Sequence, residues 1–245
     1  MKMSTKYIIP LAAVLFFWAA FPVSANDKTI RISTSYHNLL SNPDCSGMLD
    51  LLIKEAFRRV GVKAEIVFTN TRRSLVDVND GVLDAEINRI EGMEKSYPNL
   101  VRVPEPNMEM QFVAFAKRDI PISDWRSIRE LRIGMVQGWK ILEQNTNKFP
   151  NITRLTEISK LFELLEMDRL DVVLYSKLTG YEELHKLGYE DIRQLSPPLC
   201  VKDMFLYLHK SHKDLAVPVA KALREMKQDG TYDKIVNDTI CHLHE

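Results

Sequence analysis

The sequence predicts an α/β protein made of two lobes of similar plan, and three observations carry that reading. Strand-like and helix-like patterns alternate along the chain. The stretch Gly81-Val82-Leu83-Asp84-Ala85 returns as Asp168-Arg169-Leu170-Asp171-Val172, each a helix exit followed by Leu-Asp and an apolar strand. Two apolar segments that end in basic residues, 111–117 and 204–210, stand where the chain would cross between the lobes.

Taken in order, residues 29–33 read as the first strand. Met48, Leu49, Leu52, Ile53, Ala56, Phe57 and Val60 recur at helical spacing, and Gly61 stops that helix. Residues 64–68 are the next strand. A short helix over 74–78 ends at Asn79-Asp80-Gly81, a turn signal, and 83–87 return as a strand. The second half repeats this grammar. Strands are predicted over 131–136, 152–155 and 170–175. Gly138 opens a helix, and Ile158, Leu161, Phe162, Leu164 and Leu165 mark another. The chain closes with helices over 213–227 and 232–240, split at Asp229-Gly230.

The first 25 residues have the layout of a secretory signal peptide. Lys2 and Lys6 form a positive start, an apolar run over 8–21 follows, and Val23-Ser24-Ala25 places small residues before a cut near Asn26. The run is shorter than the ~20 residues that span a bilayer. The expected product is a periplasmic chain of about 220 residues, enough for two small domains. The 33 basic and 33 acidic residues balance, and losing Lys2 and Lys6 leaves a formal charge of −2. That balance lacks the basic stripe of a nucleic-acid binder. Cys45, Cys200 and Cys241 would meet an oxidising compartment, where one disulfide is plausible and spacing alone does not choose the pair.

Several short motifs, in order and spacing over about 210 residues, resemble the bacterial extracellular solute-binding proteins, family 3, of the polar amino-acid type. They are Gly47 with the helix to Gly61-Val62, Asp84 after Asn79-Asp80-Gly81, and Ile133-Gly134-Met135-Val136-Gln137-Gly138. Arg169-Leu170-Asp171-Val172-Val173 and Met226-Lys227-Gln228-Asp229-Gly230-Thr231-Tyr232 complete the set. The resemblance implies a type II periplasmic-binding-protein-like fold whose two lobes are joined by two crossing strands. Lobe one would be 27–116 with 204–245, and lobe two 117–203. The ligand would sit between them, at the carboxyl ends of the strands, and closure would be a hinge motion.

The departures from the family pattern matter as much. Members that bind α-amino acids usually hold the carboxylate with an Arg after Thr-Pro-Glu; the nearest stretch here is Gly92-Met93-Glu94-Lys95. An Asp that often holds the amino group in lobe two is replaced by Tyr175, and an acid common in the first helix by Leu49.

Candidate ligand-binding residues follow from type and place. Glu86 stands in a strand expected to be buried on both faces, where a carboxylate needs a partner, and Arg89 lies three places on. The pair either lines the cleft or caps the sheet as a structural ion pair. Arg72 and Arg73 open the helix after the second strand, where an arginine can fork onto a carboxylate, or stand solvated. Gln137 and Trp139 flank Gly138 at a helix start, which favours an anion; Trp139 can stack on a planar ligand or pack on the hinge. Tyr36 follows the first strand at the cleft lip, whereas the neighbouring His37 reads as merely exposed.

No metal site, cofactor or catalytic motif is read. His242 and His244 beside Cys241 read as a tail rather than convergent ligands. The resemblance implies a non-enzymatic monomer that captures a small polar solute, anionic or zwitterionic and amino-acid-like. It would deliver the solute to a separate ABC-type permease or present it to a sensor. The alternative is a cyclohexadienyl dehydratase-like lyase on the same scaffold, with Glu86 as acid or base. The implied fold also suggests a Cys200–Cys241 disulfide, with Cys45 free, because the final helix packs beside the second crossing strand.

Overall fold

The computed structural model describes residues 29–69 and 73–240. The expected signal peptide, Arg72 and Cys241 lie outside the described residues. Among the described residues, no helix is long and apolar enough to cross a membrane.

The chain forms β1 (Thr29–Thr34), α1 (Met48–Arg59), β2 (Lys63–Phe68), α2 (Ser74–Asn79), β3 (Ala85–Ile90), β4 (Leu100–Arg102) and β5 (Met108–Ala116). It continues with β6 (Ile133–Val136), α3 (Lys140–Asn145), β7 (Ile152–Leu155), α4 (Ile158–Glu166), β8 (Val172–Ser176), α5 (Lys177–Leu187) and β9 (Arg193–Gln194). β10 (Cys200–His209), α6 (Ala216–Gln228) and α7 (Thr231–Ile240) complete the described chain.

The strands form one sheet in the order β2-β1-β3-β10-β5-β8-β6-β7, with β4 on β10 and β9 on β5. This order contains the same motif twice. β1 lies between β2 and β3, parallel to both, and β6 lies between β7 and β8, parallel to both. An antiparallel strand then flanks each triplet: β10 beside β3 and β5 beside β8. β5 and β10 also pair with each other, Met108↔Met204 to Phe112↔Cys200. Each crossing strand thus spends its first half joining the two wings and its second half inside one wing. Both begin earlier than their apolar patterns suggest. Residues 200–203, Cys-Val-Lys-Asp, are strand because β5 supplies the ladder, not because of their composition.

The Leu-Asp repeat has a physical basis. α2 and α4 both end in a Schellman turn. Val82 N–H bonds Asp77 C=O at 2.8 Å and Arg169 N–H bonds Leu164 C=O at 2.9 Å. The left-handed residue is Gly81 (φ 76°) in one turn and Asp168 (φ 55°) in the other. The aspartates that follow do the same work. Asp84 Oδ2 accepts the Arg31 N–H at 2.8 Å, and Asp171 Oδ2 accepts the Arg132 N–H at 2.8 Å. Each carboxylate ties the start of an outer strand of its triplet to the start of the central one.

In the second wing, inward alternation sorts the core. Val113, Phe115, Val173 and Tyr175 pack with Phe162 and Leu165 of α4, while Phe112, Ala114, Val172 and Leu174 join the main core. Strands covered on both faces read as continuous apolar runs, which is why β5 and β8 were legible. α5 was not predicted. Gly180 interrupts its pattern, yet a side chain there would stand 2.4 Å from the Phe115 ring. The same close approach that requires glycine hides the helix from periodicity.

The expected Cys200–Cys241 bridge involves Cys241, outside the described residues, and no disulfide is found among the described residues. Cys200 is a free, half-buried thiol at the first position of β10, opposite Phe112, and burial raises its pKa. Cys45 is also free.

Candidate ligand-binding cleft

A cleft of about 470 Å³ opens between the wings, within the range of small-molecule sites, ~300–1,000 Å³. Its walls come from the carboxyl ends of β1 and β3 on one side. The Gly138 turn, the end of β8 and α5 face them, with Met110, Phe112 and Met204 of the crossing strands at the floor.

The first wall is polar and buried. Glu86 is 1% exposed and its Oε1 meets Arg89 Nη2 at 2.7 Å. The same Nη2 donates to Ser74 Oγ at 2.7 Å. Burial pushes the Glu86 carboxyl pKa up, and the Arg89 charge opposes it. Asn88, fully buried, donates through Nδ2 to Tyr36 Oη at 3.2 Å. Burial raises the Tyr36 phenol pKa, against the nearby Arg89 charge, so the hydroxyl keeps its proton for donation. Three buried polar atoms of this strand have no partner: Glu86 Oε2, Asn88 Oδ1 and Arg89 Nε. Each unmade bond of this kind costs ~1–3 kcal/mol. All three lie in one strand, whose Asn88 and Arg89 line the cleft.

The second wall is aromatic. Trp139 stacks on Tyr175 with ring centroids 4.5 Å apart, and Phe112 meets Trp139 edge-on at 5.9 Å. Burial pushes the Tyr175 phenol up to about 12. Behind this wall, α5 presents Glu182, Glu183 and Lys186. Glu182 is 7% exposed. Its Oε1 accepts from Lys186 Nζ at 2.6 Å, and its Oε2 reaches across to the Leu39 N–H at 3.0 Å. That bond joins the second wing to the loop after β1.

The sequence-based candidates therefore divide. Tyr36, Arg89, Trp139 and Tyr175 line the cleft together. Glu86 sits behind Arg89 rather than on the wall. Arg73 has a side chain 78% exposed, with Asp77 at 3.8 Å, and does not line the cleft. Gln137 is exposed and off the cleft; its N–H closes the β6–β7 edge on Leu155 C=O at 2.8 Å. The turn amide that was expected to meet an anion, Gly138 N–H, is already bonded to Glu143 Oε1 at 2.8 Å. His37, set aside as exposed, is exposed and still lines the rim. Sequence reasoning missed Asn88, Phe112, Glu182 and Glu183. Asn88 carried the same signal as Glu86, a polar residue in a buried strand. The α5 residues carried none, because the helix itself was not read.

The profile of the bacterial extracellular solute-binding proteins, family 3, matches residues 39–239. A protein of Shewanella oneidensis described as uncharacterised is 26% identical over 196 residues, 76% of this chain and 73% of that one. Among solved structures, a histidine kinase sensor domain with similarity to periplasmic binding proteins is 14% identical with a TM-score of 0.71. The match covers 86% of this chain and 96% of that one. The amino acid ABC transporter substrate-binding protein AbpA from Streptococcus pneumoniae, bound to L-arginine, is 15% identical with a TM-score of 0.69, over 89% of this chain and 96% of that one. These likenesses show the type II periplasmic-binding-protein fold. The family match spans most of the length, and the chain belongs to the bacterial extracellular solute-binding proteins, family 3.

Proposed function

We propose that this protein is an exported binding protein that captures a small polar, amino-acid-like solute between its two wings. The observation that carries the reading is the cleft, with a buried hydrogen-bonding wall facing an aromatic one. Arg89, through its unpartnered Nε, and the Tyr36 hydroxyl are donors suited to a carboxylate or carbonyl. The wings act as two lobes that hinge about the crossing strands, where Met108–Phe112 pairs with Cys200–Met204. Delivery to a separate ABC-type permease and presentation to a separate sensor both suit a protein of this kind.

The competing reading is a lyase on the same scaffold. Glu86, the acid it would use, stands behind Arg89 and off the cleft wall, which favours binding over catalysis.

Native mass spectrometry of protein purified from its own periplasm identifies a co-purifying solute, and calorimetry with the standard amino acids checks its class. The expected result is a one-to-one complex, weakened more than tenfold by Arg89→Lys, as loss of a charge-assisted bond of ~1.5–3 kcal/mol requires. A failure of every amino acid and of native mass spectrometry to reveal a ligand would sink the proposal. Conversion of prephenate to phenylpyruvate would establish the lyase instead.

A further inference from the structure

We infer that Asn107, which does not line the cleft, is a positioning residue for solute binding: it pins a bulge in β3 that turns Asn88 and Arg89 together onto the cleft wall. This rests on the binding-protein reading and adds a residue to the machinery of that same site.

Successive side chains of a regular strand point to opposite faces, so residues three apart also face opposite ways. β3 breaks that rule twice. Asn88, Arg89 and Ile90 are consecutive and all line the cleft. Glu86 and Arg89, three apart, meet at 2.7 Å. The pairing with β10 gives the cause. Phe205 lies opposite Arg89 and Tyr207 opposite Glu86, so two steps along β10 match three along β3. The extra residue of β3 falls at 87–88, and a bulge of this kind re-aims the side chains around it.

The residue that a bulge adds is left out of the ladder, and its buried backbone groups need partners from elsewhere. Asn107 supplies one. Its side chain is fully buried, and its Nδ2 donates to Ile87 C=O at 2.6 Å. Asn107 is itself fixed from two further sides. Its N–H donates to Met204 C=O at 2.9 Å, and its C=O accepts from Tyr232 Oη at 3.0 Å. Met204 belongs to β10 and Tyr232 to α7, so the bulge is tied to a crossing strand and to the final helix. A β3 that relaxed to regular pairing would send the neighbours Asn88 and Arg89 to opposite faces, and the cleft would lose one of them.

The test is calorimetry of the full mature chain with the standard amino acids, the tightest binder serving as the probe. If none binds, the solute that co-purifies in native mass spectrometry takes that place. Asn107→Leu keeps the branched shape and removes the donor. Its affinity for the probe should fall about fivefold or more, as loss of a hydrogen bond implies. Asn88→Ala should weaken wild type several-fold but cost less than twofold further in the Asn107→Leu chain, because Asn88 is already displaced there. Asp171→Ala, a destabilising change in the other wing, should leave the affinity within twofold. Without any solute, the Asn88 side-chain amide resonance, whose Nδ2 meets Tyr36 Oη at 3.2 Å, should shift in Asn107→Leu and stay in place in Asp171→Ala. Should Asn107→Leu fail to fold, Asn107→Asp, which has no donor when ionised, takes its place with the same expectations. An affinity within twofold of wild type, or an unmoved Asn88 resonance, would overturn the inference and leave the binding-protein reading standing. No binding by any amino acid and no co-purifying solute would remove that reading, and the inference with it.

Discussion

The two wings share a scaffold and differ where they meet the cleft. Both carry a triplet of parallel strands, a Schellman turn and an aspartate that ties two strand starts together. In the first wing, β3 reads Ala-Glu-Ile-Asn-Arg-Ile and buries charge and amide. In the second, the equivalent β8 reads Val-Val-Leu-Tyr-Ser, and its ligand-facing end is an aromatic ring. Strands buried on both faces are apolar by default. One wing breaks that default and its twin does not, and the exception lies in the strand that borders the cleft.

The largest way to break the comparison is at Arg89. Arg89→Ala strands Glu86 in the interior, and unpairing a buried charge costs ~3–5 kcal/mol. Denaturant unfolding should show a loss of that order, partly restored by Glu86→Gln in the same chain. A loss below 1 kcal/mol would show that the pair is not buried as described.

Next come the paired aspartates. Asp84→Ala and Asp171→Ala each remove a carboxylate that accepts a strand-start amide, worth ~1.5–3 kcal/mol, and the two losses should match closely in urea melts. A large loss in one wing alone would undo the equivalence. The pH dependence sharpens this. The Asp171 pKa lies below its ordinary 3.8, chiefly through the Arg132 hydrogen bonds. Its contribution is therefore full above that value and fades as pH falls through the folded pKa. The Glu86 pKa lies above its ordinary 4.5 through burial. Its contribution is present below 4.5 and declines as pH rises through the folded pKa. Relative to wild type, Glu86→Gln should gain stability as pH climbs above about 4.5, whereas Asp171→Asn should lose it as pH rises from the lowered folded pKa of Asp171 toward 3.8.

A smaller effect is expected at the bond between wings. Glu182→Ala removes the acceptor for Leu39 N–H, a bond of about 1 kcal/mol. Affinity for the bound solute should fall several-fold, and small-angle scattering should show a more open chain without ligand. Unchanged affinity and scattering would assign Glu182 to packing alone.

The twin turns offer the last comparison. Gly81→Ala forces a side chain into the left-handed region, 3.3 Å from the His209 ring, and should cost ~1–2 kcal/mol. Asp168→Gly relieves the same conformation in the other wing and should be neutral or stabilising by up to about 1 kcal/mol. Thermal unfolding that moves both variants the same way would show that the turns are not alike.

By itself the sequence determined the α/β class, the doubled plan and the crossing segments. Helical and strand periods, turn residues and a charged residue in an apolar strand are local signals, and Glu86 and Arg89 stand three places apart on one strand. Tyr36 was legible because it follows a strand end, where such folds place ligands, Trp139 because it stands at a helix start, and Tyr175 only through the family resemblance. Only the tertiary structure decided the rest. The pairing of β6 with β8 sets Trp139 on Tyr175, and the Glu182–Leu39 bond joins two wings held together by the antiparallel pairing of β5 and β10. The same pairing drew residues 200–203 into a strand against their composition, and the Phe115 ring decided that α5 must carry a glycine where its pattern would have revealed it. Arg73 and Gln137 stand exposed outside the cleft lining, because residue type and position along an element do not set a side chain's surroundings until packing against the rest of the chain does.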